Sequence, residues 1–387
     1  MQRERVGKDK GMILSGAYVA RLDLGVAHHL GVTKKMAAQN AALQAAFGPV
    51  DHFAIDGLSV TRNEQVIWQQ APGRFARQRL HALGFYPGLA PYLQDHDYIY
   101  IRYQRCTPVF LHLLKTLRRQ NPRRPIFVEL PTYPYTAEQV SRRDKILGFA
   151  DRLTQGGMKG LVDRIVTFSD REEIFGIPTI RTENGVDLGA MPLLEPALDQ
   201  GPLRLVAVAN LGVRHAYDRV IAGLATYKGA RPVSFEIIGS GSVEGALREQ
   251  VAALGLQEQV TFAGPLSGAA LNDRMSKAHI GIAALGMHRI AASTSDLKSR
   301  EYCARGLPFV IANPDRDFGP DFPFAFHAPV DDSPLDIAAL VAFHTEMRTT
   351  HSGFHTMMRA HAEAHLGWES KMRPVIEKIR AMVEAQA

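Results

Sequence analysis

The sequence has few cysteines and no long apolar run. Its two cysteines among 387 residues, Cys106 and Cys303, are far apart, which argues against a disulfide framework and a cysteine metal cluster. No stretch approaches the roughly 18 consecutive apolar residues of a membrane-spanning helix. The apolar run from Met12 to Ala20 has no convincing cleavage site after it, so we expect no signal peptide. These absences predict a cytoplasmic protein.

Two common nucleotide-binding motifs are also missing. No Gly-x-x-x-x-Gly-Lys-Ser/Thr sequence occurs, which disfavours a P-loop nucleotidase. The turn Gly239-Ser240-Gly241 lies between a predicted strand and a predicted helix, as phosphate-binding loops do. The third glycine of a dinucleotide fingerprint is replaced by Glu244, which disfavours a dinucleotide-dependent dehydrogenase. A loop that accepts a phosphate remains possible.

Acidic charge is scarce in the first half of the chain. Residues 1–190 contain 26 basic and 18 acidic residues, whereas residues 191–387 contain 19 and 21. The excess is concentrated between Ile101 and Lys145, where the basic residues include Arg118, Arg119, Arg123, Arg124, Arg142 and Arg143. This pattern is typical either of a solvated surface or of a face that attracts an anionic membrane or a phosphorylated acceptor. Nucleic acid is disfavoured because no aromatic platform is interleaved with these charges.

The length predicts two domains, because one hydrophobic core rarely fills 387 residues. In the second half, apolar strands alternate with helices of about ten residues from Leu203 to Ala284, which predicts a doubly wound parallel sheet. The segment from Leu188 to Pro202 is rich in proline, leucine and acidic residues, as linkers are. We therefore predict domains at 1–190 and 191–365 and a C-terminal helix in 366–387.

The stretch from Ser293 to Val310 has the most informative pattern. It predicts a polar turn, a short helix, a stop at Gly306 and a buried strand that begins at Pro308. Lys298 and Glu301 are three residues apart, so they share one face of that helix. A cation beside a carboxylate suits a ligand that has a phosphate at one end and sugar hydroxyls at the other. A nucleotide sugar is such a ligand.

The pattern Lys298-x-x-Glu301-Tyr302-x-x-x-Gly306-x-Pro308 resembles the donor-binding signature of glycosyltransferases with the GT-B fold, in particular the large retaining group called family 4. This resemblance implies two Rossmann-like domains that face each other across a cleft, with the C-terminal helix crossing back to the first domain. It implies that the first domain binds the acceptor and the second binds the donor. It further implies that Glu301 grips the ribose and that Lys298 neutralises the departing diphosphate. The donor-binding residues that we predict are Asn210, Arg214, Gly239, Gly241, Gly264, Pro265, Ser295, Leu297, Lys298 and Glu301.

A candidate for the acceptor side lies in the first half. The buried strand from Pro125 to Leu130 runs into a loop with two prolines and two tyrosines, at the end of a strand where α/β sheets bind ligands. Glu129 and Tyr133 are therefore candidates to contact the acceptor or the sugar ring, and we count Glu129 with Lys298 and Glu301 as catalytic. The alternative is a structural turn with a capping glutamate. Lys34 and Lys35, in a first helical turn, face either a phosphate or solvent.

The sequence departs from the family pattern at two places. Ser293 stands where the family has a glutamate eight residues before the ribose glutamate, and Asn210 and His215 stand where many members have arginine and lysine. Asp315-Arg316-Asp317 matches the Asp-x-Asp of another glycosyltransferase fold, but a solvated loop is the preferred interpretation, and we predict no required metal and no cofactor. Glu301 paired with Arg305 is the structural alternative to ribose binding.

We therefore predict a retaining glycosyltransferase that moves a sugar from a nucleoside diphosphate sugar to a polysaccharide or lipid-linked acceptor. It would be cytoplasmic, with an anionic membrane surface as a possible partner. The alternatives are a sugar-nucleotide epimerase or hydrolase of the same fold and a non-catalytic subunit. The absence of the family's glutamate at Ser293 adds support to the alternative of a non-catalytic subunit, but the transferase is the prediction.

Overall fold

The computed structural model describes residues 12–26, 30–131, 133, 148–149, 151–290 and 296–386. The chain forms two compact units: the first comprises Met1–Glu183 and Lys371–Ala387, and the second comprises Asn184–Ser370. The sequence analysis placed its boundaries after residues 190 and 365. The assignment of acceptor and donor binding to the two halves stays a prediction.

The described residues include fifteen strands and twelve α-helices, besides short 3₁₀ and π-helical turns. The strands are β1 Gly16–Asp23, β2 Val50–Asp56, β3 Ser59–Arg62, β4 Gln65–Gln69, β5 Tyr98–Arg102, β6 Ile126–Leu130, β7 Arg164–Thr167, β8 Glu173–Ile174, β9 Ile177–Arg181, β10 Leu203–Val208, β11 Val233–Ile238, β12 Val260–Gly264, β13 Ile280–Ile282, β14 Phe309–Ile311 and β15 Ala325–His327. The helices are α1 Leu30–Phe47, α2 Ala76–Arg79, α3 Ala90–Leu93, α4 Pro108–Gln120, α5 in 148–149 and 151–154, α6 Tyr217–Thr226, α7 Glu244–Ala253, α8 Gly268–Ser276, α9 Leu297–Ala304, α10 Ile337–Thr350, α11 Phe354–His365 and α12 Trp368–Glu384.

The first unit contains a nine-stranded sheet in the order β4-β3-β2-β1-β5-β6-β7-β9-β8. Its six central strands are parallel, while β3, β4 and β8 pair antiparallel at the two edges. The strand that the sequence analysis predicted from Pro125 to Leu130 is confirmed as β6. The strand order changes direction between β1 and β5, which makes that pair the topological switch point of this sheet.

The second unit contains a six-stranded, fully parallel sheet in the order β12-β11-β10-β13-β14-β15. Along β10, Leu203, Leu205 and Ala207 belong to one hydrophobic cluster, and the intervening Val206 belongs to a second cluster. Because successive side chains of a strand point to opposite faces, both faces of this sheet are buried. The predicted doubly wound architecture is confirmed, and the switch point lies between β10 and β13.

The last helix, α12, returns the chain to the first unit at Lys371. There the Arg380 guanidinium lies 5.8 Å from the ring centroid of Phe47, at the end of α1. The Lys371 carbonyl also accepts a hydrogen bond of 2.5 Å from the Thr182 hydroxyl. The predicted return of the C-terminal helix to the first domain is confirmed.

Candidate functional site

Three loops meet at the carboxyl edge of the second sheet. The Ala209 N–H, after β10, donates to Ile238 O at 2.9 Å, and the Leu211 N–H donates to Ser240 O at the same distance. The Gly239 N–H donates to Gly264 O at 2.8 Å, which joins the loop after β11 to the end of β12. The structure thus brings together the predicted residues Asn210, Gly239, Gly241, Gly264 and Pro265.

The two glycines of the loop after β11 are required by this close approach. A Cβ on Gly239 would lie 1.8 Å from Ala209 O, and the φ of Gly239 is +127°. A Cβ on Gly241 would lie 2.2 Å from Leu211 O. Backbone packing therefore explains both glycines without a ligand. Their contact with a phosphate stays a prediction.

The loop after β13 is a fourth loop at this edge, and it contacts the loop after β10. The Leu285 N–H donates to His215 O at 3.1 Å, and the Gly286 N–H donates to Arg214 O at 3.0 Å. Gly286 has no room for a side chain, because an added Cβ would lie 2.6 Å from the Cβ of Ala216. Arg214, a predicted donor-binding residue, is exposed and belongs to this group of loops.

Asp296 attaches the start of α9 to the same edge. One of its carboxylate oxygens accepts the Lys298 N–H at 3.2 Å, as an N-cap, and the other accepts the Ala284 N–H at 2.8 Å. The sequence analysis did not single out Asp296, although an aspartate directly before a predicted helix is the usual N-cap signal. The predicted residue Ser295, with Ser293 and Thr294, lies outside the described residues.

Lys298 and Glu301 both lie on α9 but do not form an ion pair within 4.0 Å. The Lys298 ammonium is 3.7 Å from the Asp296 carboxylate. Across the described ranges, no side chain makes a hydrogen bond or an ion pair with the partly buried Glu301 carboxylate. Arg305, its alternative partner, donates instead to Asn272 Oδ1 at 2.7 Å. Burial raises the pKa of Glu301, and the positive charges of Lys298 and Arg305 offset this only in part.

His215 is buried beside these groups and lacks a partner for one ring nitrogen. The Gly212 N–H lies 3.0 Å from its Nδ1, while its Nε2 has no hydrogen-bond partner in the part of the chain that the structure describes. Burial, reinforced by the positive charges of Lys298 and Arg214, lowers the pKa of His215 to about 4. The edge therefore combines two cations with a neutral imidazole, which suits an anionic ligand.

Tyr302, which directly follows Glu301 in the sequence pattern, has a structural role. Its hydroxyl accepts the Val208 N–H at 3.2 Å and donates to Ile282 O at 3.2 Å. It thereby bridges β10 and β13 beyond their last paired residues, and its ring fills the space above Gly281, where an added Cβ would lie 2.7 Å away. Tyr302 therefore stabilises the contact between β10 and β13 at the switch point and does not bind a ligand through its hydroxyl.

The two carboxylates of the Asp-x-Asp pattern bind a buried arginine, so the preferred interpretation of a solvated loop is wrong. The fully buried Arg300 donates to both oxygens of Asp315, at 2.8 and 2.9 Å, and to Asp317 at 2.5 Å. Both carboxylates thus anchor α9 through its central arginine. Within the described ranges, no group of three or more histidine, cysteine, aspartate or glutamate residues has a geometry that suits a metal ion.

In the first unit, Glu129 is fully buried at the carboxyl end of β6. Its carboxylate accepts hydrogen bonds from Arg102 at 2.6 Å, from the Tyr100 hydroxyl at 2.7 Å and from the Gln39 amide at 2.9 Å. The Lys35 ammonium lies 3.6 Å away. Burial alone would raise the pKa of Glu129, but the charges of Arg102 and Lys35 outweigh it and the pKa is lowered. Lys35 is thus not a solvated lysine. Because its ammonium lies beside the Glu129 carboxylate, its charge is not available to a phosphate alone.

The predicted basic segment provides fewer free charges than its sequence suggests. Arg118 pairs with Asp163 at 2.5 Å, and the fully buried Arg124 donates to Leu93 O at 2.6 Å. Arg119 and Arg123 are exposed, whereas the predicted Arg142 and Arg143 lie outside the described residues.

None of the helices described here is both long and apolar enough to cross a bilayer.

No family model matches this sequence, and no curated protein matches it either. Solved structures match nearly the whole chain. A lipopolysaccharide outer core galactosyltransferase, WaaB, in its apo form is 11% identical with a TM-score of 0.59, and the match covers 97% of this chain and 100% of WaaB. The sucrose-phosphate synthase of Thermosynechococcus elongatus is 16% identical with a TM-score of 0.62, covering 96% and 100%. HepE of Anabaena, in complex with UDP, is 12% identical with a TM-score of 0.57, covering 95% and 100%.

This chain has the GT-B fold. Likeness at 11–16% identity establishes the GT-B architecture of the two sheets and the returning helix, and leaves the activity to be argued from the site. In the GT-B second unit, every described residue of the predicted donor set lies on α9, at the end of β12 or on the loops after β10, β11 and β12. Glu129 belongs to the other unit.

The sequence analysis did not name Asp296, Arg300 or Arg102 among the residues that hold these groups, and it interpreted Asp315, Asp317 and Lys35 differently. Asp296, Arg300, Asp315 and Asp317 fix α9, and Arg102 and Lys35 surround Glu129. The cap was visible in the sequence, but the ion pairs join residues far apart in the chain, and no local pattern marks them.

Proposed function

We propose that this GT-B protein is a retaining glycosyltransferase of the family-4 type. It transfers a sugar from a nucleoside diphosphate sugar to a polysaccharide or lipid-linked glycan acceptor. One observation carries the proposal: Glu301 is a partly buried carboxylate that has no hydrogen-bond or ion-pair partner among the described residues. It lies near Lys298, at the carboxyl edge where a doubly wound sheet binds ligands. A buried carboxylate with no donor costs free energy unless a ligand supplies one.

In the proposed complex, the Glu301 carboxylate accepts hydrogen bonds from the ribose hydroxyls of the donor. Charge-assisted hydrogen bonds of this kind are about twice as strong as neutral ones. Lys298 and Arg214 stabilise the diphosphate as the bond to the sugar breaks, since preorganised positive groups act most where negative charge develops. Leu297, Gly264 and Pro265 border the base, and Asn210, Gly239 and Gly241 border the phosphates.

Glu129 acts on the acceptor side by positioning rather than by contact. Its carboxylate is enclosed by four partners, so its proposed role is to hold the Arg102 and Lys35 cations at the end of the first sheet. No metal or cofactor is required in this scheme. An anionic membrane surface is the further proposed partner, and the cytoplasmic location at the inner face of the membrane stays a prediction.

Titration calorimetry with UDP tests the central role of Glu301, because the similar HepE was solved with UDP bound. Glu301→Gln is expected to weaken UDP binding by at least about tenfold, since a hydrogen bond to a charged group contributes about 1.5–3 kcal/mol. Glu249→Gln, on the exposed side of α7, is the matched control and should bind like the wild type.

Equal affinity of the Glu301→Gln variant and the wild type would remove Glu301 from the site. Incubation of UDP-glucose with and without a glycan acceptor then separates the activities. Sugar transfer that requires the acceptor supports the transferase, whereas an isomer or free glucose without acceptor indicates an epimerase or a hydrolase. No binding of any nucleotide by the wild type would favour a non-catalytic subunit.

A further inference from the structure

The edge of the first sheet carries an exposed tryptophan. Strand β4 is the outermost strand, and the Trp68 side chain on it is 39% exposed. Its indole ring lies against the backbone of Gly84, where an added Cβ would come within 3.2 Å of Trp68 Cη2. Gly84 ends a π-helical turn, Leu80–Gly84, that directly continues α2. The tryptophan is therefore adjacent to this helical segment.

The helical segment has one buried and one exposed face. Ala76 and Leu80 are buried and point to the core, whereas Phe75 is 58% and Leu83 is 63% exposed. The Arg79 N–H donates to Phe75 O at 2.9 Å, so the winding is continuous from Phe75. Residues spaced by four share a helix face, which places Phe75, Arg79 and Leu83 together. We call these three residues, with Arg74 and Trp68, the Trp68 surface.

The charge of this region has one sign. From residue 65 to residue 94 the sequence contains no aspartate or glutamate and three arginines: Arg74, Arg77 and Arg79. Arg77 lies 3.6 Å from Asp23. Arg74 and Arg79 make no ion pair within 4.0 Å across the described ranges. Two unpaired cations thus flank large exposed apolar side chains, which is the composition of helices that lie in a membrane interface.

We infer that the Trp68 surface docks the protein on an anionic lipid bilayer. Trp68, Phe75 and Leu83 enter the headgroup region, and Arg74 and Arg79 contact lipid phosphates. A second copy of the chain is a poorer occupant because it would bring like charges together. Single-stranded nucleic acid is also a poorer occupant, because it binds through cations and aromatic stacking and makes no favourable contact with the exposed aliphatic side chain of Leu83. The inference rests on the proposed function only in its purpose, which is to bring the enzyme to a lipid-linked acceptor.

Vesicle binding of the full chain, measured without nucleotide, tests this docking. The probes are vesicles of phosphatidylcholine with phosphatidylglycerol and vesicles of phosphatidylcholine alone. The chain has two tryptophans, and Trp368 is buried, so a blue shift of the emission reports mainly on Trp68. We expect co-sedimentation and a blue shift with the anionic vesicles only. Trp68→Phe should abolish the shift but keep most of the binding.

Charge reversal separates the Trp68 surface from the basic segment that the sequence suggested. The double variant Arg74→Glu/Arg79→Glu is expected to bind anionic vesicles at least about tenfold more weakly, because each arginine near the surface contributes about a factor of five. Leu83→Asp should show a similar loss. Arg119→Glu/Arg123→Glu and Leu198→Asp are matched controls on other exposed positions and should bind like the wild type.

The docking site is wrong if Arg74→Glu/Arg79→Glu and Leu83→Asp bind vesicles like the wild type, or if Arg119→Glu/Arg123→Glu carries the loss. Tighter binding of a single-stranded oligonucleotide at the same residues, or self-association through them, would also overturn it. The far-UV circular dichroism spectrum and the melting temperature, measured for every variant, verify that each is folded. A wild type that binds vesicles but not UDP would contradict the proposed function and leave the docking surface intact.

Discussion

Arg300 shows how a single buried charge is tolerated in the second unit. Its guanidinium is removed from water, but Asp315 and Asp317 accept three of its hydrogen bonds and a fourth goes to Asp296 O at 2.9 Å. An arginine is suited to this task because its planar group presents fixed donors to two carboxylates. The arrangement also holds Lys298 and Glu301, its neighbours on α9, at a fixed position on the sheet edge.

Arg300→Met is therefore expected to lower the free energy of unfolding by about 3–5 kcal/mol, because it removes the buried cation that both carboxylates bind. Urea unfolding followed by circular dichroism measures this loss. Lys277→Met breaks the exposed pair with Asp273, which is 2.7 Å long, and should cost at most about 0.5 kcal/mol. A similar cost for both variants would mean that the Arg300 network contributes little, and Asp317→Asn gives a milder second measurement.

At the scale of elements, the loops after β10 and β11 form one unit because their backbones touch. Two glycines permit this contact, and hydrogen bonds from Ala209 and Leu211 hold it. The hydroxyl of Tyr302 does the same for β10 and β13. The carboxyl edge of the sheet is thus preorganised by contacts between neighbouring elements, as a site that stabilises developing charge requires.

Gly239→Ala is expected to destabilise the protein by at least about 2 kcal/mol and to weaken UDP binding, since its φ of +127° and its contact with Ala209 O both reject a Cβ. Gly245→Ala in α7 is the matched control, because an added Cβ there meets nothing within 4 Å. It should stabilise the protein by about 0.5–1 kcal/mol. Thermal unfolding of both variants checks the difference. Equal melting temperatures would show that the loop after β11 can shift enough to accommodate a Cβ at position 239.

For the whole molecule, the response to acid is set largely by buried histidines of the second unit. Burial lowers the pKa of His215, His279 and His344 to about 4 in each case. The unfolded chain binds these protons near pH 6.5, whereas the folded chain binds them only near pH 4. Stability is therefore complete above pH 6.5 and is lost as the pH falls from 6.5 to 4.

The free energy of unfolding, measured by urea titration, is accordingly expected to fall between pH 7.5 and pH 5 by an amount on the order of 1–2 kcal/mol for each buried histidine. His344→Leu should make the dependence on pH shallower. His112→Gln, at an exposed position of α4, should leave it unchanged. The same slope for wild type and His344→Leu would show that folding does not lower the pKa of His344.

The sequence by itself determined the alternation of strands and helices, the doubly wound second sheet and the order of the motif from Lys298 to Pro308. These features are local, because a strand buried on both faces is a continuous apolar run and a helix ends at a glycine. Only the tertiary structure decided that Arg300 forms ion pairs with Asp315 and Asp317 and that Glu129 lies between Arg102 and Lys35. Such pairs depend on which strands become neighbours, and the cost of burying a charge selects partners that are distant in the chain.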